Sequence, residues 1–235
     1  GVSPAVVDYL EQTIRLPARK VTLINNGVTQ NRSADKMDLA DVRERFDLPA
    51  DSLVIGTVGR LFDSHKRVSD LIRAMPMIAA KHSEARLLIV GAGPDMRFLS
   101  DLARELNVID QVRFAGYQPD IQPFYELMDV FALASAHEAF GLVLVEAMFA
   151  RLPIVATRVG GIPSIVNDKD TGCLVEPYQP EALADAILRL ASDASMRRSM
   201  GQKGRKRALE SFSAERYVRD VDQLYQRLLA ERKVT

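Results

Sequence analysis

The sequence predicts an α/β fold: a Rossmann-like parallel sheet with helices on both faces and a helical C-terminal extension. Three observations carry that prediction. Short apolar, β-branched runs alternate with longer amphipathic stretches. The runs are almost continuously apolar, as strands buried on both faces are, rather than alternating between apolar and polar. After Val175 the runs stop and only three- and four-residue apolar spacing continues.

The N-terminal part differs in kind from the rest of the chain. Ser3-Pro4 is a helix start, a capping hydroxyl followed by proline at the first helical position. Val21-Thr-Leu-Ile24 reads as a strand ended by the turn Asn25-Asn-Gly27, and the polar segment 29–41 reads as a linker. The main-domain strands are Leu53-Val-Ile-Gly-Thr-Val-Gly59, Arg86-Leu-Leu-Ile-Val-Gly91, Val112-Arg-Phe-Ala-Gly116, Val130-Phe-Ala-Leu-Ala134 and Pro153-Ile-Val-Ala-Thr157. Helical patterns at 68–82, 95–106, 121–128, 141–150 and 162–166 lie between and after them. Gly172-Cys-Leu-Val175 is a last short strand, and 180–191, 195–209 and 214–232 are helices. This alternation implies right-handed βαβ units, and ligands in such sheets bind beyond the carboxyl ends of the strands. Function is therefore expected in the loops after Val58, Val90, Ala115, Ala134 and Thr157.

Bulk properties narrow the classes. Lys plus Arg equals Asp plus Glu, 31 each, so no global field draws the chain to nucleic acid. The one cysteine, Cys173, excludes an intrachain disulfide and a Cys-rich zinc site. No apolar stretch approaches the ~20 residues that span a bilayer. A cytoplasmic location is expected, with peripheral attachment at the inner membrane face as a further option. The basic run Lys203-Gly-Arg-Lys-Arg207 is the segment that could touch anionic lipid, but it reads first as a solvated helix face. The start, Gly1-Val-Ser-Pro4, has neither Met nor signal-peptide regions, which predicts a chain cut from something longer.

Three loops carry the chemistry. Gly59-Arg-Leu-Phe-Asp-Ser-His-Lys66 sets the guanidinium of Arg60 and the ammonium of Lys66 at the ligand edge, where both suit phosphate oxygens. Taken alone, the loop reads first as two surface cations in a polar segment. Gly91-Ala-Gly-Pro-Asp-Met96 shows the first two glycines of a dinucleotide fingerprint, but Met96 fills the position that demands a small residue. A nicotinamide-dependent oxidoreductase is therefore the weaker alternative, and a tight turn explains both glycines. Ser135-Ala-His-Glu138-Ala-Phe-Gly-Leu-Val-Leu-Val-Glu146-Ala-Met148 is the strongest signal. A helix starting near Gly141 points its free N–H groups and positive dipole end at the ligand edge. Glu138 and Glu146 flank that end, and carboxylates accept the hydroxyl hydrogen bonds that sugars offer. Arg158-Val-Gly-Gly-Ile-Pro163 is a further turn that either lines the cleft or merely connects. His65, His82 and His137 read as surface polar residues, and no metal-ligand spacing occurs.

Together, Gly59-Arg-Leu with Lys66, the segment from Ser135 to Met148, and Val159-Gly-Gly-Ile-Pro163 resemble the family 4 (group 1) glycosyltransferases, in that family's order, from about Val21 to Tyr225. The resemblance implies the C-terminal half of a GT-B fold, with residues 1–33 a remnant of the N-terminal acceptor domain plus linker and 34–235 the donor domain. It implies retaining transfer from a nucleoside-diphosphate sugar, such as a UDP- or GDP-sugar, without metal or other cofactor. It places Arg60 and Lys66 on the diphosphate, Glu138 on the transferred sugar and Glu146 on the ribose. Backbone at Phe140, Gly141, Leu142 and Val143 would meet sugar and phosphates, and Tyr117 and Gln118 the base. Two departures stand out: the Lys66 loop is one residue longer, and Arg67 replaces a usual glycine. The acceptor, a saccharide or a lipid, would need roughly 150–200 further residues to bind. The chain alone is then expected to be inactive, and a non-catalytic nucleotide-sugar-binding module is the alternative reading. Unpartnered apolar positions in its first and last helices could drive weak self-association.

Overall fold

In the computed structural model, which describes residues 1–29 and 38–232, six strands form one parallel sheet. They are β1 Val54–Val58, β2 Arg86–Val90, β3 Val112–Gly116, β4 Val130–Leu133, β5 Ile154–Thr157 and β6 Gly172–Val175, in the spatial order β3-β2-β1-β4-β5-β6. All six coincide with the apolar runs expected to form strands. The register pairs Val54 with Arg86, Ile55 with Val130 and Ile154 with Gly172. The helices are α1 Pro4–Asp8, α2 Leu39–Arg45, α3 Asp63–Lys66, α4 Val68–Ala79, α5 Met96–Glu105, α6 Gln122–Leu127, α7 Leu142–Phe149, α8 Ile162–Ile165, α9 Pro180–Ser192, α10 Ala194–Ser211 and α11 Ala214–Arg232.

Because successive strand side chains point to opposite faces, each apolar run feeds two cores at once. Ile55, Leu87, Ile89, Val130, Ala132 and Val155 pack against α4, α5 and α9. Val54, Leu88, Val90, Phe131, Leu133 and Ile154 pack against α2, α6, α7 and α8. Helix α10 serves both layers, since Met200 joins the first core and Ala208 the second.

The turn from α9 into α10 is fixed by two polar devices. Asp193 Oδ1 accepts the Met196 N–H at 2.8 Å, capping α10, while Arg197 donates to the last carbonyls of α9, Leu190 at 2.6 Å and Ala191 at 2.7 Å. Replacing Asp193 by Ala is expected to cost about 1 kcal/mol, a fall of roughly 2–4 °C in Tm. A thermal melt followed by circular dichroism checks it.

One expected strand does not form. Residues 21–24 lie outside every ladder; Ile24 donates to the Gly1 carbonyl and the Gly1 ammonium to the Thr22 carbonyl. The segment has the β-branched composition of a strand, but no strand lies beside it among the described residues, and a ladder needs a partner. Among the described residues before α2, Val28 alone makes a bridge, to Ser213. The cap at Ser3 forms as expected, its Oγ accepting the Val6 N–H. Most of the expected linker, and the expected domain boundary between residues 33 and 34, lie outside the described residues. Exposed apolar side chains do occur on the terminal segments, among them Tyr9 and Ile14 near the start and Val218, Tyr225 and Leu229 on α11.

Candidate functional site

The strand order reverses direction between β1 and β4, and a sheet of this kind opens a crevice where neighbouring crossovers part to opposite faces. The loop leaving β1 carries Arg60 and Lys66; the loop leaving β4 carries Glu138. The two loops touch: the Ala136 N–H donates to the His65 carbonyl at 2.8 Å.

The β1 loop is held from beneath by carboxylates. Asp95 Oδ2 accepts the Asp63 N–H at 2.7 Å. Buried Asp63 in turn accepts the Ser69 N–H at 2.8 Å and the Ser69 hydroxyl at 2.6 Å, which caps α4 from the helix before it. Arg67 joins α3 to α4 in the left-handed region, φ 48°. That conformation accounts for the glycine of the family pattern; here the guanidinium is held by both oxygens of Asp70 at 3.0 and 2.7 Å and lies over the Tyr178 ring. Arg60 is exposed, and its guanidinium makes no hydrogen bond or ion pair with the described residues.

Gly91 and Gly93 serve this same loop. A Cβ on Gly91 would stand 1.9 Å from the Gly59 carbonyl oxygen, and one on Gly93 2.1 Å from that of Leu61. Backbone bonds from Gly59 to Val90 and from Leu61 to Ala92 bind the two loops edge to edge. The two glycines thus support the Arg60 loop, and Met96 packs against the core.

The β4 loop is gripped from three sides. Thr157 Oγ1 donates to the Ser135 carbonyl at 2.6 Å, the Gly161 N–H donates to the Glu138 carbonyl at 2.8 Å, and the buried Ser3 hydroxyl donates to the Ala139 carbonyl at 2.6 Å. The Gly-Gly turn is therefore more than a connection: Gly160 packs directly on the Glu138 backbone. Phe140 is buried against Phe212, so only its backbone faces the ligand edge. Gly141, at φ 108°, turns the chain into α7. The N–H groups of Leu142 and Val143 lie in the first turn of α7, before any i→i−4 acceptor, and have no acceptor among the described residues.

Across the crevice Lys66 Nζ donates to Glu138 Oε2 at 2.6 Å, with the Glu138 side chain only 13% exposed. Gly141 lies against Glu138, and Glu146 follows on α7, its Oε2 accepting from the Tyr125 hydroxyl at 2.8 Å. Two cavities open at this edge. One of about 710 Å³ is lined by Glu146, Leu142, Phe149, Arg205, Tyr117 and Gln118, among others. The other, of about 400 Å³, is lined by Gly59, Arg60, Gly91 and Ala92. Tyr117, Gln118 and Ile121 belong to both walls, so the cavities adjoin. Tyr117 is 76% exposed, and Gln118 is anchored by a 2.7 Å bond from Nε2 to the Ala115 carbonyl. The structure thus joins Lys66 to Glu138 directly, and sets Arg60 and Glu146 on adjoining cavities rather than in contact.

Several neighbours escaped the motif reading. The basic run on α10 is not a uniformly solvated face: Arg205 donates to the Phe149 carbonyl, and Arg207 to the carbonyls of Ile165 and Ser164, both at 2.7 Å. Helical spacing alone does not reveal which cations find carbonyl partners on other elements. The bonds from Ser3 to Ala139 and from Tyr125 to Glu146 likewise carry no local signal. The rings of His65 and His137, both exposed, meet edge to face at 5.7 Å. Among the described residues no group of three or more His, Cys, Asp or Glu side chains is placed to hold a metal ion, and no helix is long and apolar enough to cross a membrane.

Comparison with known proteins gives this geometry a context. Residues 40–207 match the family model described as glycosyl transferases group 1. The N-acetyl-alpha-D-glucosaminyl L-malate synthase of Bacillus anthracis is 29% identical over 233 residues, 99% of this chain and 60% of that protein. The sucrose-phosphate synthase of Thermosynechococcus elongatus, 33% identical, superposes with a TM-score of 0.81 over 98% of this chain and 58% of its own. The crystallised C-terminal domain of a glycosyl transferase group 1 family protein (LpcC) from Francisella tularensis, 26% identical, matches 80% of this chain and 100% of its own with a TM-score of 0.70. The chain therefore spans about 60% or less of the length of full-length relatives such as the synthase of Bacillus anthracis. A family model that matches well over half of the chain decides the assignment: the chain belongs to the group 1 glycosyltransferases.

Proposed function

We propose that this chain is the donor-binding half of a retaining, family 4 glycosyltransferase, and that its crevice takes a nucleoside-diphosphate sugar. The observation that carries the reading is the Lys66–Glu138 pair just before the amino end of α7, with Glu146 farther along that helix on the wall of the 710 Å³ cavity. A diphosphate needs cations and free N–H donors; a sugar and a ribose need hydroxyl acceptors. Both sets face one edge of one sheet.

In this reading Arg60, Lys66 and the N–H groups of Leu142 and Val143 receive the diphosphate. Glu138 accepts hydroxyls of the transferred sugar, Glu146 those of the ribose, and Tyr117 with Gln118 flank the base. The donor must compete for Lys66, which Glu138 already holds. That exchange is feasible because the pair is only partly buried, and a charge-assisted bond to phosphate contributes about 1.5–3 kcal/mol. As the bond from the anomeric carbon to the diphosphate oxygen lengthens, negative charge grows on the leaving group beside these donors. Stabilising charge that develops mainly in the transition state accelerates the step. The acceptor hydroxyl attacks from the face the diphosphate leaves, and its proton passes to that departing oxygen, so configuration is retained. The acceptor itself, a saccharide or a lipid, is bound by sequence outside this chain.

The chain alone is then expected to bind donor without transferring sugar. Titration calorimetry with UDP, GDP and ADP tests the first half. Saturable binding of one of them, lost in the Lys66→Ala variant, supports the reading; heat from none of the three sinks it. NAD is expected to give no heat, because Gly91 and Gly93 are occupied in packing against the Arg60 loop.

A further inference from the structure

Tyr125 carries a polar contact that its burial does not require. Its ring is 2% exposed and packs 5.8 Å from Phe131, as any core aromatic would. Its hydroxyl, however, emerges at the wall of the larger cavity and donates to Glu146 Oε2 at 2.8 Å. A phenol has one proton to give, and the alternative acceptor, the Val143 carbonyl, lies at 3.4 Å. Burial, together with the Glu146 charge, pushes the Tyr125 hydroxyl well above its ordinary pKa, so it remains a donor throughout the neutral range. Arg205, on the same wall, gives a bond to the Phe149 carbonyl and forms no ion pair with Glu146. Glu146 Oε1 has no partner among the described residues.

A glutamate side chain on a helix surface has three rotatable bonds and, left alone, samples several rotamers. Anchoring one carboxylate oxygen fixes where the other points. With Oε2 tied to a hydroxyl rooted in the core, Oε1 is the oxygen left for a ligand. We propose that Tyr125 is a positioning residue: it aims Glu146 at a vicinal diol and so gives the site its preference for ribonucleoside over 2′-deoxyribonucleoside diphosphates. This rests on the reading of Glu146 as the ribose acceptor.

The experiment compares this chain with its Tyr125→Phe, Glu146→Gln and doubly substituted forms. Phenylalanine keeps the ring in the Phe131 cluster, and a thermal melt confirms that each variant is folded. The probes are whichever of UDP, GDP and ADP the unsubstituted chain binds best, and the 2′-deoxy form of that nucleotide, titrated calorimetrically. One well-oriented hydrogen bond corresponds to about a tenfold change in Kd, so the unsubstituted chain is expected to prefer the ribonucleotide by about that factor. Tyr125→Phe should weaken the ribonucleotide by roughly fivefold or more and leave the deoxynucleotide nearly unchanged, cutting the preference to about twofold or less. In the Glu146→Gln background the same substitution should add nothing further. A preference unchanged in Tyr125→Phe overturns the proposal, and so does an equal loss for both ligands, which marks a merely structural role. If the unsubstituted chain binds none of the three nucleotides, the donor-site reading fails first, and this inference falls with it.

Discussion

Arg60→Ala, made in a polypeptide that also supplies the acceptor half, is expected to lower kcat by about 10²–10³ while Tm stays unchanged. The two outcomes share one cause: Arg60 lines a cavity at the crevice, yet its guanidinium holds no partner among the described residues. Nothing in the described fold depends on its guanidinium, so truncation leaves no buried group unsatisfied. All of its charge is available to an incoming anion. Lys66 differs. Its ammonium is paired with Glu138, and under the proposed function Lys66→Ala removes a donor to the diphosphate and frees the Glu138 carboxylate at once. Its effect on turnover should equal or exceed that of Arg60→Ala, with at most about 1 kcal/mol lost in stability, because the pair is partly solvated. Steady-state kinetics with a melt of each variant separates the two. Unaltered kcat in Arg60→Ala would remove that residue from the mechanism.

Gly160→Ala is expected to damage both stability and the site. The added Cβ would stand 2.0 Å from the Glu138 carbonyl oxygen, and the residue sits at φ 49°. Left-handed backbone costs a non-glycine residue about 1–2 kcal/mol, and forcing an atom into a packed contact about 1–3 more. A total near 3 kcal/mol lowers Tm by roughly 6–12 °C in a domain of this size. The clash is with backbone, so no rotamer change relieves it. The strain must move the loop that carries Glu138, and the bond from the Gly161 N–H to Glu138 goes with it. Donor affinity should therefore fall along with stability. Gly116→Ala isolates the dihedral cost, since Gly116 is also left-handed, φ 69°, but faces open space. Comparable melting temperatures for the two variants would refute the close-packing argument.

How far the sequence spoke depended on whether the controlling interaction was local. Apolar runs such as 86–91 and 130–134 became strands because continuous β-branched character, repeated between helical stretches, is satisfied by a sheet covered on both faces. Residues 21–24 have the same composition and form no ladder, because a strand is completed by its neighbour and not by its own residues. Ser3 announced itself as a cap through the proline after it; that its hydroxyl also clamps Ala139, 136 residues away, left no local trace. Gly91-x-Gly93 matched two glycines of a dinucleotide fingerprint and proved to be the seat of the Arg60 loop, since a glycine pattern records close approach without recording what approaches.

What the sequence determined by itself was the alternation of elements and the charged residues set after the strands: Arg60 and Lys66 after β1, Glu138 and Glu146 after β4. Short-range chemistry suffices for that, because periodicity, capping and turn residues act within a few positions. The tertiary structure alone decided that Lys66 meets Glu138 across 72 residues, that Tyr125 holds Glu146, and that Arg205 and Arg207 turn inward. Each is a contact between side chains on different elements. Such contacts are set by how the sheet orders its strands, and no spacing along the chain encodes that order.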